Sequence, residues 1–228
     1  MIKAIIFDLD DTLYYELNYV KSGFEAVSEY ISLRYQVDKD IFYQQLLEVL
    51  KDQGRGKIFN LALEKFALPA AEVQGMVTVY RSHIPEGIEL YNDARDVLHK
   101  YKTDKKYKTG IITDGNSEVQ WKKIKTLDLL KLIDEILVSD DYGVAKRKPN
   151  SFLYSKMLEM LNVQAEEAVY IGDNPVKDFV TARKLGIKTV RIIREKGMHI
   201  TKRIDQEYEA DHEINTLYEL DKLIVDDL

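Results

Sequence analysis

Asp8-Leu9-Asp10-Asp11-Thr12-Leu13 follows directly on the run Ile2-Lys3-Ala4-Ile5-Ile6-Phe7. A short Ile-rich run closed by acidic residues reads as a buried strand ending at a polar site. The end of that strand presents Asp8, Asp10 and Asp11 beside the hydroxyl of Thr12. Carboxylates crowded this closely repel one another unless a cation or a proton intervenes. The stretch is therefore either a solvated turn or a site that holds a metal and does chemistry.

Beyond this stretch, short β-rich runs recur at 109–113, 135–138, 168–171 and 188–193, with a further candidate at 210–214. Helical spacing separates most of them. Over 87–101 it is carried by Ile88, Tyr91, Ala94, Val97 and Leu98, and over 151–161 by Phe152, Leu153, Met157, Leu158 and Leu161. A helix over 178–185 would stop at Gly186. Strands alternating with helices predict a parallel sheet covered on both faces, with ligands at the carboxyl ends of its strands. The segment 14–85 breaks this alternation: 20–33, 39–50, 58–66 and 71–81 all carry helical patterns, with a loop at 52–57. The expected architecture is a Rossmann-like α/β core, 1–13 and 86–228, with an inserted α-helical cap domain over 14–85.

The bulk composition narrows the classes. A chain of 228 residues, 45% hydrophobic and 32% charged, can bury a sizeable core and reads as an ordinary globular protein. A formal net charge of -6 argues against nucleic acid or an anionic membrane as a general partner. The most basic stretch, 102–108, contains Asp104 and Tyr107 and reads as a solvated loop. With no cysteine, thiolate catalysis and zinc–thiolate sites are excluded, and a cytoplasmic location is the expectation. Asp8 interrupts the N-terminal apolar run too early for a signal peptide, and no run approaches the ~18–20 apolar residues that span a bilayer.

Polar clusters follow the strand-like runs. Thr113-Asp114-Gly115-Asn116 follows the second, Lys146-Arg147-Lys148-Pro149 comes after the third, and Gly172-Asp173-Asn174-Pro175-Val176-Lys177-Asp178 follows the fourth. In a parallel sheet all of them share one edge with Asp8. Converged, they suit phosphoryl transfer. One carboxylate can attack phosphorus and form an acyl phosphate. A second, two residues on, can protonate the leaving oxygen and later deprotonate water. Mg2+ takes hard oxygen ligands of this kind, Thr113 can donate a hydrogen bond to the phosphoryl group, and a lysine can neutralise it.

In these motifs the sequence resembles the haloacid dehalogenase-like (HAD) superfamily, in its phosphatase branch. The residues that carry the resemblance are Asp8-Leu9-Asp10-Asp11-Thr12-Leu13, Ile111-Ile112-Thr113-Asp114-Gly115, Lys148-Pro149-Asn150, and Gly172-Asp173-Asn174 with Asp178. The resemblance implies Asp8 as nucleophile and metal ligand, and Asp10 as general acid/base that also binds metal through its backbone carbonyl. It implies Thr113 and Lys148 at the phosphate, Lys146 being a rival to Lys148. Asp173 would complete a Mg2+ site, with Asp178 as an alternative or outer ligand. Asp114 belongs with the phosphate-binding set, although a contact to backbone is its more ordinary use. The strand bearing Asp8 is expected at the centre of the sheet, between those bearing Thr113 and Asp173. The helical insert is similar to the family's C1 cap, and the Thr113–Asn116 run with Gln120-Trp121-Lys122-Lys123 is loosely similar to N-acylneuraminate-9-phosphate phosphatases.

Other residues take plainer readings. Asp11 is expected to cap local backbone and Thr12 to brace the loop. Gly54-Arg55-Gly56-Lys57 lacks the full spacing of a nucleotide-binding loop; Arg55 and Lys57 are instead candidate substrate-selecting residues on a cap loop. The expected activity is Mg2+-dependent hydrolysis of a small phosphorylated metabolite. A phosphomutase using the same nucleophile is the alternative. A non-enzymatic phospho-accepting switch fits less well, because such switches carry the acceptor on a later strand and have no helical insert.

Overall fold

β1 (Ala4–Phe7) forms from the run that ends at Asp8, and all four of its residues are buried. A computed structural model of the chain describes residues 1–226. It adds β2 (Lys108–Thr113), β3 (Glu135–Val138), β4 (Ala168–Gly172), β5 (Lys188–Ile192) and β6 (His212–Ile214). The six strands form one sheet in the order β3-β2-β1-β4-β5-β6, and every pair is parallel. β1 therefore lies between the strands that lead to Thr113 and to Asp173. Strands buried on both faces lose the apolar/polar alternation of a half-exposed sheet, which is why β1 and β4 read as continuous apolar runs.

The chain divides into two compact units, one of Met1–Glu16 with Ile88–Leu228 and the other of Leu17–Gly87. The first contains the sheet. α7 (Phe152–Leu161) and α8 (Val180–Lys184) follow β3 and β4. Leu153, Met157, Leu161, Phe179 and Ala182 pack with Ile6, Ile112 and Tyr170 in one buried cluster. α5 (Asn92–Asp104) leads into β2, α6 (Ser117–Thr126) follows it, and α9 (Leu220–Asp226) closes the described chain.

The second unit is helical: α1 (Glu16–Tyr35, its first residue in the α/β unit), α2 (Lys39–Gln53), α3 (Ile58–Lys65) and α4 (Glu72–Ser82). It has its own core of Phe24, Val27, Ile31, Phe42, Leu46, Ala62, Leu63 and Met76. Asp38 caps α2, its side chain accepting from the Ile41 N–H at 2.9 Å. Among the described residues, no helix is long and apolar enough to cross a membrane.

Local boundaries depart from the periodicity in several places. The helix expected over 87–101 is α5 and starts only at Asn92. The chain before it is extended because Leu90 bridges Tyr14 and the Tyr91 N–H donates to Leu13 O at 2.9 Å. The basic stretch 102–108 is mostly not loop, since α5 runs to Asp104 and β2 begins at Lys108. α2 likewise extends through Gln53 into the loop expected at 52–57. The helix expected over 178–185 is only α8, because the Asp178 side chain is tied to the preceding turn. α6 has no counterpart in the helical spacing read above.

Candidate active site

The loops after β1, β2 and β4 bring the polar clusters to the carboxyl edge of the sheet. Asp8 is 1% exposed and sits one residue past β1. Its backbone N–H donates to Ile171 O at 2.8 Å, which fixes it to β4. Asp8 Oδ1 accepts a hydrogen bond from Lys148 Nζ. Asp8 Oδ2 is buried with no hydrogen-bond partner. Lys148 Nζ also donates to Asp178 Oδ1 at 2.7 Å and to Tyr170 OH at 2.8 Å. Lys146 is elsewhere, its ammonium 4.7 Å from the centre of the Phe152 ring. The geometry thus separates the two rival lysines, and the Lys148–Pro149 peptide beside them is cis.

One carboxylate oxygen from each of Asp8, Asp173 and Asp178 lies within 4.8 Å of the others. All three residues are buried. Gly172 permits this convergence: a Cβ there would stand 2.6 Å from Asp178 Oδ2. Asp178 Oδ2 in turn accepts from the Asn174 N–H at 2.9 Å, which closes the turn after β4.

The charges are strongly coupled. Burial, opposed by the Lys148 ammonium and reinforced by the charge of Asp178, leaves the Asp8 carboxyl raised to about 7. Burial, followed by the charges of Asp178, Asp8 and Asp11, holds Asp173 well above the usual carboxylate range. For Asp178 burial works in the same direction, but the charges of Lys148 and Lys177 and the hydrogen bonds it accepts hold it low. Burial disfavours the Lys148 charge, yet Asp178 and Asp8 keep it firmly protonated. A buried carboxylate oxygen without a donor, among acids that repel one another, is the environment a divalent cation relieves. The donors are all hard oxygens, so Asp8, Asp173 and Asp178 fit Mg2+.

Asp10 stands apart from this triad. Tyr14 OH donates to Asp10 Oδ1 at 2.5 Å and Lys123 Nζ to the same oxygen at 2.8 Å. Gln120 Nε2 donates to Asp10 Oδ2 at 3.0 Å and to Thr113 Oγ1 at 2.5 Å. Burial alone would raise the Asp10 carboxyl, but the Lys123 charge and these hydrogen bonds overcome it and hold Asp10 below its ordinary value. Gln120 and Lys123 entered the sequence reading only within the run Gln120-Trp121-Lys122-Lys123, with no role assigned to them at Asp10. They are three apart on α6 and so share a helix face, and Asn116 starts that helix by capping the Val119 N–H at 3.2 Å. The available signal was the short distance in sequence from the Thr113 cluster to Gln120 and Lys123, two hydrogen-bonding side chains three apart.

The remaining candidates separate clearly. Asp114 Oδ1 accepts from the Lys148 backbone N–H at 3.1 Å, so its carboxylate is engaged with backbone. Asp11, with φ 53, accepts from the Glu16 N–H at 3.0 Å and the Met198 N–H at 3.1 Å. Thr12 offers its carbonyl to Arg194, whose Nε and Nη2 donate at 3.1 and 2.7 Å. Arg55 and Lys57 are exposed on the α2–α3 loop of the helical unit. Arg55 there lines a cavity of about 380 Å³ with Val20, Phe24, Phe59 and Tyr80.

A parallel sheet in this order, with paired acids, a hydroxyl and a buried lysine at its carboxyl edge, defines an α/β protein that carries groups for nucleophilic and acid–base chemistry. The haloacid dehalogenase-like hydrolase family model matches residues 5–192. Glyceraldehyde 3-phosphate phosphatase of Methanocaldococcus jannaschii is 34% identical over 233 residues, 96% of this chain and 96% of its own. Ribulose-1,5-bisphosphate 5-phosphatase of Halopiger xanaduensis is 30% identical and is matched over 98% of this chain and 100% of its own. The crystal structure of a HAD phosphatase from Thermococcus onnurineus superposes with a TM-score of 0.65 at 28% identity, covering 98% of both chains. The chain belongs to the haloacid dehalogenase-like hydrolases.

Proposed function

We propose that this hydrolase is a Mg2+-dependent phosphatase of the cytoplasm acting on a small phosphorylated metabolite through an aspartyl-phosphate on Asp8. The observation that carries the proposal is Asp8 itself. It is a buried carboxylate with one oxygen held by Lys148 and the other without a donor, two residues before a second carboxylate in a separate hydrogen-bond set. The phosphatase names of relatives aligned over nearly the whole chain support the reaction class and point to phosphorylated sugars or trioses as substrates.

In this reading the Asp8 carboxylate attacks phosphorus and the ester P–O bond breaks. The Asp10 carboxyl delivers a proton to the departing alcohol oxygen. Asp10 Oδ2, which accepts a single hydrogen bond from Gln120, is the oxygen free to carry that proton. The Asp10 carboxylate then takes a proton from water, whose oxygen bonds to phosphorus as the P–O bond to Asp8 breaks. Inorganic phosphate leaves and Asp8 is regenerated. Asp10 is held ionised without substrate, and the arrival of a phosphate dianion raises its affinity for a proton. Thr113 donates its hydroxyl proton to the phosphoryl group while Gln120 holds its oxygen. Mg2+, held by Asp8 and Asp173 with Asp178 behind them and the Asp10 carbonyl as a further donor, would supply charge neutralisation. The helical unit is the cap, with Arg55 and Lys57 among the residues that select the substrate.

The test is a panel of phosphorylated trioses, pentoses and an aryl phosphate, with Mg2+ and with EDTA. Phosphate release should require Mg2+ and fall about 10³-fold or more in Asp8→Asn, on the scale of removing a covalent nucleophile. Full activity in Asp8→Asn sinks the mechanism. An isomerised sugar phosphate without free phosphate would assign the chain as a mutase instead.

A further inference from the structure

Gln120 stands between two groups that the phosphatase reading sets to work on one ester. It lies on α6, 2% exposed, and its amide nitrogen donates to Thr113 Oγ1 at 2.5 Å and to Asp10 Oδ2 at 3.0 Å. A primary amide nitrogen carries two N–H donors and no acceptor. Both donors are therefore spent, one on each group. The reverse orientation of the amide would set Oε1 against Asp10 Oδ2, acceptor against acceptor. Because Thr113 Oγ1 accepts from Gln120, its own proton is left for another acceptor.

The sheet by itself does not fix these two groups against each other. Thr113 is the last residue of β2, but the ladder between β1 and β2 ends at Phe7 and Ile111, three residues before Asp10. α6 supplies the tie. Lys123 Nζ holds Asp10 Oδ1, and Gln120, three residues earlier on the same face, holds Oδ2 together with Thr113. Gly115 makes room for that side chain: a Cβ there would stand 3.2 Å from Gln120 Cδ and Cγ and 3.3 Å from Oε1. In the reaction above, Thr113 donates to a phosphoryl oxygen and Asp10 to the ester oxygen on the same phosphorus. Their spacing has to match a single phosphate monoester, and displacing such a group by about 1 Å costs on the order of 100-fold in rate.

We propose that Gln120 is the positioning residue that sets Thr113 and Asp10 at the spacing of one phosphate monoester, so that the proton of Asp10 falls on the ester oxygen of a phosphoryl group seated at Thr113. The assignment rests on the phosphatase reading above. It adds to that reading a residue outside the four motifs, on the helix that follows the second.

The experiment measures kcat/KM with Mg2+ for 4-nitrophenyl phosphate and for a sugar phosphate that wild type hydrolyses. The variants are Gln120→Met, Gln120→Glu and, as a control, Lys125→Met at an exposed position of the same helix. A nitrophenolate leaves readily without a proton, whereas an alkoxide needs one. The ratio of the two kcat/KM values cancels the amount of folded enzyme. Gln120→Met should lose about 10- to 100-fold on the sugar phosphate and less than about 5-fold on the aryl ester. Gln120→Glu keeps the shape and, ionised, donates nothing, so it should show the same unequal loss; Lys125→Met should match wild type. Either Gln120 variant suffices if the other does not fold. Equal losses on both esters, or no loss, overturn the assignment, because a merely structural role moves both values together. If wild type hydrolyses no sugar phosphate, or Asp8→Asn keeps full activity, the phosphatase reading itself fails and the assignment goes with it.

Discussion

Asp8 and Asp10 are two residues apart, yet their surroundings give them opposite electrostatic characters. Asp8 looks into the acidic cluster and is pushed up by burial, while Asp10 looks toward α6 and is held down by Lys123 and its hydrogen bonds. Successive alternate residues at a strand end would ordinarily share a face. Here Asp8 ends the strand and Asp10 already lies in the following turn, bridged to Tyr14. The Lys123 ion pair is 3% exposed on the lysine side, so water screens it little. Lys123→Met removes one charge-assisted hydrogen bond from Asp10 and leaves Tyr14 and Gln120 in place. The expected result is a fall in kcat of about 10- to 100-fold with KM little changed, since the contact serves proton transfer and not substrate binding. Steady-state kinetics on a single ester check this, and a change confined to KM would contradict it.

The strands were legible because burial on both faces leaves an unbroken apolar signature, as in Ala4-Ile5-Ile6-Phe7 and Ala168-Val169-Tyr170-Ile171. The acids at their ends were legible because a polar cluster directly after such a run has few structural uses. α6 was not, because its buried face mixes Val119 and Ile124 with Gln120 and Lys123, and buried polar residues erase the hydrophobic period. The partners of Asp10 disappeared with it. The start of α5 was misjudged for a different reason: Ile88 and Tyr91 fit the helical spacing, but the chain there is held extended by the Leu90–Tyr14 bridge and the Tyr91 N–H bond to Leu13 O. The turn after β4 shows how an element can limit its own sequence. Gly172 is the last residue of β4, and a Cβ there would approach Asp178 Oδ2 to 2.6 Å, Cγ to 2.8 Å and Cβ to 3.0 Å. The Cβ of Asp178 cannot rotate away, so relief requires moving the turn. Gly172→Ala is expected to lose about 1–3 kcal/mol in a denaturant melt, in the range of overpacked sites. Activity should fall more than stability, because the displaced residue is the partner of Lys148. A variant with wild-type stability and activity would show that the turn has room to spare.

The α/β unit is held together behind its site by one buried carboxylate that joins segments far apart in sequence. Asp93, at the start of α5, accepts on Oδ2 from Arg194 Nη1 at 2.6 Å, Thr216 Oγ1 at 2.8 Å and the Leu217 N–H at 2.7 Å. Its other oxygen accepts from the Ala94 N–H at 2.8 Å. Arg194 passes the connection on to the Thr12 carbonyl in the loop that follows Asp8. The first motif, the chain after β5 and the C-terminal segment are therefore joined through the Arg194–Asp93 pair, which hydrophobic patterning does not reveal. Burial alone would raise the Asp93 carboxyl, but the Arg194 hydrogen bond, the Leu217 N–H and the Arg194 charge together lower it. A depressed carboxyl contributes stability that is present above its unfolded value, near 3.9, and is lost as pH falls through the lower folded value. Asp93→Asn removes the charge but keeps most of the shape. It leaves Arg194 buried without its counter-ion, so the expected loss is about 3–5 kcal/mol at neutral pH. In wild type the contribution of Asp93 should fade only below about pH 4, so the gap in denaturant midpoint between wild type and Asp93→Asn should narrow as pH drops through that window. A gap that stays constant from pH 7 to pH 3 would mean that the ionised form of Asp93 is not what holds these segments together.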